Sequence, residues 1–222
     1  MKTLIIGTGE IGNGLKTVLS ETYPEVLSKD KEPRRFKDIE ILHICFPYSR
    51  RFVKQVQRYI KQYQPIVTVI NSTVPVGTTR QFGDKVVNSP IRGKHPNLAR
   101  GIWTFTKLIG GTDPHLVKLV ADYFEKAKVN TLMFDKPETT ELAKILDTTK
   151  YGWDIVYAKE VKEICDDLGL NFDEVYTTPN LLYNQGWARL QEAKYIRPVL
   201  EPTPEPISGH CVVQNCLLFK HS

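Results

Sequence analysis

Apolar residues fall in short runs along the first two thirds of this chain, and polar or amphipathic stretches separate them. The runs at residues 2–6, 25–28, 39–46, 66–70, 85–88, 107–110 and 131–134 have strand length, and in most of them apolar residues stand side by side rather than alternating with polar ones. That is the pattern of strands covered on both faces. Between them, Phe52, Val53, Val56, Tyr59 and Ile60 recur at helical spacing, and a further helix is expected over residues 11–21. Asp113-Pro114 supplies a cap and a first-turn proline for a third helix ending near Lys126. Strands alternating with helices predict an α/β fold, a Rossmann-type doubly wound parallel sheet.

The pattern changes at Pro137. Residues 138–168 contain no proline and the single glycine Gly152, which predicts one long helix. Its apolar set, which includes Leu142, Ile145, Leu146, Trp153, Val156 and Ile164, is broad enough to be buried on more than one side. Gly169 ends it, a second helix follows from Asp173, and the proline-rich residues 198–206 read as an extended strap. The expected organisation is a dinucleotide-binding domain at 1–136 and a small helical region at 137–222. Trp153, Tyr157, Tyr183 and Trp187 are read as core or dimer contacts.

Composition narrows the classes. The chain has 222 residues, 41% hydrophobic and 25% charged, with a net charge of +5, as expected of an ordinary globular protein. No apolar run reaches membrane-spanning length, so no membrane association is expected. Cys45, Cys165, Cys211 and Cys216 form no paired-spacing metal motif, so no metal is expected and a reducing, cytoplasmic setting fits. Basic clusters such as residues 29–35 mix signs and lack interleaved aromatics, which argues against a nucleic-acid partner and leaves an anionic small molecule.

The first candidate for chemistry is the turn Gly7-Thr8-Gly9-Glu10-Ile11-Gly12, which follows a strand and opens a helix. A dinucleotide's diphosphate needs backbone amides at a helix N-terminus with no side chains in the way. Gly7 permits the tight turn, Gly9 the phosphate approach, and Gly12 the close packing of helix on strand. Asp30 lies about 20 residues on, where an acid holds the ribose hydroxyls of NAD. It reads equally as a surface aspartate, and Lys29, Lys31, Arg34 and Arg35 would suit the 2′-phosphate of NADP. Phe46, Pro47, Ser72 and Thr73 follow the third and fourth strands and complete the cofactor-binding candidates. Arg92, Lys94, His95 and Arg100 crowd a later loop, where Arg92 and His95 would hold a phosphate or carboxylate. His43, in the middle of an apolar strand, reads as a hydrogen-bonded core residue.

Asn71-Ser72-Thr73-Val74-Pro75-Val76-Gly77-Thr78-Thr79 resembles the signature loop of the UDP-glucose/GDP-mannose dehydrogenase family. Thr139-Thr140-Glu141-Leu142-Ala143-Lys144 is similar to the start of its central helix, and Ser208-Gly209-His210-Cys211 to the cysteine loop of its N-acetylmannosamine branch. Asn88-Ser89-Pro90 and Gly110-Gly111 also fit. The resemblance implies oxidation of a sugar alcohol with NAD, Cys211 as nucleophile, and Lys144 stabilising negative charge on the substrate oxygen. Thr73 would lie beside the nicotinamide. It also implies a homodimer through helix 138–168 and a substrate that is a nucleotide sugar or a smaller anionic hydroxy compound.

Four departures qualify this. The family's C-terminal domain does not follow Cys211. Ile91 stands where a glutamate is expected, Thr148 where an asparagine is, and Asn215 where an aspartate is. Thr148 and Asn215 occupy catalytic positions of the family without its groups, which puts thioester hydrolysis in doubt. The alternative is a non-catalytic dinucleotide-binding sensor or subunit derived from such an enzyme.

Overall fold

The computed structural model describes residues 1–93, 96–203 and 212–220. They form two compact units that divide after Lys144. The first unit carries β1 (Thr3–Ile6), α1 (Glu10–Ser20), β2 (Val26–Lys29), β3 (Ile41–Ile44), α2 (Phe52–Tyr63), β4 (Val67–Ile70) and β5 (Val86–Asn88). It continues with α3 (Leu98–Thr104), β6 (Lys107–Gly110), α4 (Pro114–Lys126) and β7 (Thr131–Phe134), and then α5 (Pro137–Leu168) runs on into the second unit.

All seven strands join one sheet in the order β2-β1-β3-β4-β5-β6-β7. The order reverses between β1 and β3, and a reversal of this kind opens a crevice outside the strands' carboxyl ends. Side chains alternate across the sheet as the pleat requires. Ile5, Ile41, Val67, Val69, Val87 and Ile109 pack under α1, α3 and α4. Leu4, Ile6, Leu42, Ile44 and Ile70 face α2 through Phe52 and Val56. Burial on both faces explains why these strands read as continuous apolar runs.

The expected α/β architecture is therefore present, with three corrections. β5 and β6 pair antiparallel, through Asn88 and Gly110, so the sheet is mostly rather than wholly parallel. The third strand is shorter than residues 39–46. The loop carrying Arg100 contains α3, a short helix anchored by buried Leu98, Gly101 and Ile102. The α4 start matches its expected cap, since the Asp113 carboxylate accepts the amides of His115 at 2.8 Å and Leu116 at 3.3 Å.

The second unit continues α5 and adds a π-helical turn at Asp173–Thr177, α6 (Thr178–Arg189) and α7 (Val212–Lys220). Its core is small: Ala158, Cys165, Phe172 and Tyr176. The long helix is there, but the broad apolar set on it is not buried as expected. Trp153 is 72% exposed and Tyr157 62%, and Leu146, Val156 and Ile164 are exposed too. No described element of this chain covers that stripe. Helix α7 takes up residues 212–220.

Candidate functional site

The crevice is built by the first residue beyond each of the central strands. Gly7 N–H donates to Lys29 O at 2.9 Å, Cys45 N–H to Ile6 O at 2.8 Å, Asn71 N–H to Ile44 O at 2.9 Å, and Ser89 N–H to Ile70 O at 2.8 Å. The ladder thus runs one step past the strands and fixes where each loop departs. Ser72 Oγ donates to Phe46 O at 2.7 Å, joining the Phe46-Pro47 and Ser72-Thr73 loops.

Two glycines are irreplaceable here. Gly7 has φ +101°, and a Cβ on it would lie 2.9 Å from the Cys45 carbonyl carbon. A Cβ on Gly12 would lie 1.8 Å from Gly7 O, so α1 reaches β1 only because both residues lack side chains. Gly9 differs, because a Cβ there would meet no atom within 4 Å. It is the N-cap of α1 and makes no side-chain cap bond, and a helix N-terminus of this kind suits an anion. Asn13 Nδ2 donates to Thr8 O at 2.7 Å and holds the turn closed. A glycine-lined cradle at a helix start fits the diphosphate of a dinucleotide.

At the end of β2, Asp30 is exposed and its backbone N–H donates to Glu32 Oε2 at 2.8 Å. That bond holds the Glu32 carboxyl below the usual carboxylate range. The basic neighbours are partly committed elsewhere. Lys29 Nζ donates to Arg34 O at 2.8 Å, and the Arg34 guanidinium lies 5.0 Å from the centre of the Phe36 ring. Two carboxylates therefore stand where the residue pattern left NAD and NADP both open.

Behind the crevice lies a polar cluster, of which only His43 is expected in the core from the sequence. Lys107 is only 4% exposed. Its ammonium donates to Ser89 O at 2.7 Å and Asn71 Oδ1 at 3.3 Å, and it lies 4.8 Å from the Phe124 ring centre. Asn71 Nδ2 in turn lies 3.1 Å from His43 Nδ1, so His43 is the bonded core histidine expected. Burial lowers the His43 pKa to about 3 and that of Lys107 to about 7, and it pushes the Cys45 thiol up to about 12. Cys45 is thus an inert thiol beneath the crevice.

The start of α5 is bolted to the signature loop. Glu141, 1% exposed, accepts Gly77 N–H at 2.6 Å and Thr79 N–H at 2.8 Å. Glu138 accepts Arg80 through both carboxylate oxygens, at 2.5 and 3.0 Å, and Thr140 Oγ1 donates to Asn88 Oδ1 at 2.7 Å. Lys144 is half-buried on the same helix.

The other candidates separate clearly. Ile91, in place of a glutamate, is buried in the core beneath α3 and does no acid–base work. Arg92 borders a cavity of about 10 Å³, which has room for one water. Within the second unit, Asn215 Nδ2 donates to Thr148 Oγ1 at 2.8 Å. Cys211 and His95 lie outside the described residues, as do Lys94 and Ser208-Gly209-His210. An open groove of about 440 Å³ between Pro114, Val117, Met133 and Phe134 sits at the opposite sheet edge, because β6 and β7 run against β5. Its lining is mainly apolar, with Thr112, Lys118 and Asp135 as its polar members.

Comparison with known proteins adds to the geometry. No family model matches the chain. The UDP-N-acetyl-D-mannosamine dehydrogenase of Methanocaldococcus jannaschii is 22% identical over 174 residues, covering 74% of this chain and 37% of that protein. The structure of the UDP-D-ManNAc dehydrogenase of Pyrococcus horikoshii superposes with a TM-score of 0.81 at 15% identity, over 98% of this chain and 63% of that one. The 3-hydroxyisobutyrate dehydrogenase of Mycobacterium tuberculosis superposes with a TM-score of 0.72 at 15% identity, over 100% of this chain and 86% of that one. The chain spans little more than a third of the length of the curated relatives it matches.

Proposed function

From the premise that this chain is a distant member of the UDP-glucose/GDP-mannose dehydrogenase family, we propose that it is an NAD-dependent dehydrogenase acting on an alcohol. The observation that carries the reading is the side-chain-free cradle of Gly7, Gly9 and Gly12 at the reversal of strand order. The amides from Thr8 to Ile11 would hold the diphosphate, Asp30 the ribose hydroxyls, and Phe46, Pro47, Ser72 and Thr73 the nicotinamide half. Asp30 and Glu32 would repel a 2′-phosphate, which favours NAD over NADP.

Bound NAD would supply the hydride acceptor. On this reading, Lys144 places its positive charge at the substrate hydroxyl oxygen and stabilises the alkoxide as the proton leaves. The Cys211 thiolate would then add to the aldehyde carbon, forming an S–C bond while the carbonyl oxygen takes a proton. Arg92 and His95 would hold an anionic group of the substrate, a nucleotide sugar or a smaller hydroxy compound. The Thr148–Asn215 hydrogen bond favours oxidation that stops short of the acid. Thr148 Oγ1 also donates to Ile145 O at 3.4 Å, and neither Thr148 nor Asn215 carries a carboxylate to activate water.

The test is NADH formation from UDP-N-acetyl-D-mannosamine or from small 3-hydroxy acids. Lys144→Ala is expected to lower kcat/KM at least about a hundredfold. Cys211→Ser is expected to spare the first oxidation. NAD binding without NADH formation from either substrate class would support the non-catalytic reading instead.

The exposed stripe of Trp153, Tyr157, Ile164 and Leu168 argues for a homodimer through α5. Sedimentation equilibrium should give twice the chain mass, and Trp153→Glu should shift it toward the monomer. A wild-type monomer at all concentrations would refute the dimer.

A further inference from the structure

The signature loop is fastened at both ends. Ser72 ties its first residues to Phe46 O, and Glu141 takes the amides of Gly77 and Thr79 at its far end. Burying a carboxylate is costly unless its oxygens are satisfied, and here each oxygen takes one amide. Attachment alone does not require this arrangement. Arg80 and Glu138 already join the loop to α5 in a two-bond fork at the surface, and Thr140 joins α5 to β5 through Asn88. What Glu141 adds is an interior fixed point. It sits three residues before Lys144 on the same helix, and it grips the loop at Gly77, whose φ of +84° permits few other residues.

We propose that Glu141 is a positioning residue: its two amide bonds lock loop 72–79 against the turn of α5 that carries Lys144, so that Thr73 and Lys144 keep a constant relation. The proposal rests on the dehydrogenase reading above. It differs from a helix-capping role in what it predicts for cofactor affinity.

The test is Glu141→Gln, with Glu138→Gln as the surface control. Glutamine keeps one acceptor oxygen but turns an NH2 toward an amide donor, so one of the two bonds is lost without a change of volume. The variant should keep its circular dichroism and stay folded at assay temperature, with its melting temperature lowered because one buried donor is left unpaired. Hydrogen exchange at Gly77 and Thr79 should accelerate about tenfold or more, and the NAD dissociation constant should rise by a similar factor. With substrate, kcat should fall more than KM rises, while Glu138→Gln stays near wild type in every readout. If Glu141→Gln does not fold, Glu141→Asp, one methylene short of the two amides, should shift exchange and affinity in the same direction. Unchanged protection at Gly77 and Thr79 would overturn the clamp. Fast exchange with unchanged NAD affinity would reduce Glu141 to a cap. A wild-type protein that binds no NAD would instead sink the dehydrogenase reading, and this proposal with it.

Discussion

Alanine at Gly9 is expected to abolish tight NAD binding while leaving the fold intact, whereas alanine at Gly12 should damage both. The two positions are three residues apart in the same turn, yet the atoms around them differ completely. A Cβ at Gly9 meets nothing within 4 Å, and its φ of −71° suits any residue. Stability should therefore change by less than about 0.5 kcal/mol. On the proposed reading the space the methyl would fill is where the diphosphate would approach the amides of α1, so affinity should fall about a hundredfold. At Gly12 the new atom would stand 1.8 Å from Gly7 O and 2.9 Å from Gly7 C, both backbone. Helix α1 must then move off β1, at about 3 kcal/mol or more of stability. Urea unfolding and NAD titration on the two variants read the contrast. Equal loss of stability in both would mean that the turn is a packing device and nothing more.

Lys107→Met is expected to stabilise the protein below neutral pH and to remove a pH dependence that the wild type carries. The lysine amine has its pKa lowered from 10.5 to about 7 by burial. Between those values the unfolded chain binds a proton that the folded chain does not, so wild-type stability should rise as pH increases from about 7 toward 10.5. Below about 7 the folded protein carries the charge, and the full penalty, at most about 4 to 5 kcal/mol, is present. Methionine removes that charge but leaves Ser89 O and Asn71 Oδ1 without a donor, which costs about 1–3 kcal/mol. The net gain near pH 6 should be about 2 kcal/mol, and it should vanish or reverse by about pH 10. Denaturant titrations of both proteins across that range check this. A constant difference between them at every pH would contradict a depressed Lys107.

The legible parts of the fold were those whose signal is local. Residues 2–14 name a strand, a glycine turn and a helix within one contiguous stretch, and the absence of proline from 138 to 168 is enough to give α5. Helix α3 escaped because it is only seven residues long and lies in a stretch of sequence that reads as a basic loop, with Arg92, Lys94 and Arg100. The β5–β6 reversal rests on one residue pair, and strand length does not encode direction. The site divides in the same way. Glycines announce a cradle, but Lys107 reads as an ordinary strand-flanking lysine until Asn71 and Ser89 are folded around it. Glu141 reads as one more charge on a charged helix, because its partners are amides 62 and 64 residues away. Interactions between side chains and distant backbone leave no periodicity to find. The exposed apolar stripe on α5 reads as core or dimer contact alike, since sequence does not say whether the covering surface belongs to the same chain.

Calorimetric titration of the whole chain with NAD and with NADP bears most directly on the central claim. Saturable binding of one NAD per chain, with NADP at least about tenfold weaker, is the predicted result, because on the proposed reading Asp30 and Glu32 would lie beside the ribose and repel a 2′-phosphate. Absence of heat and of thermal stabilisation with either nucleotide would contradict the account, and would leave a Rossmann sheet whose glycine turn serves some other purpose.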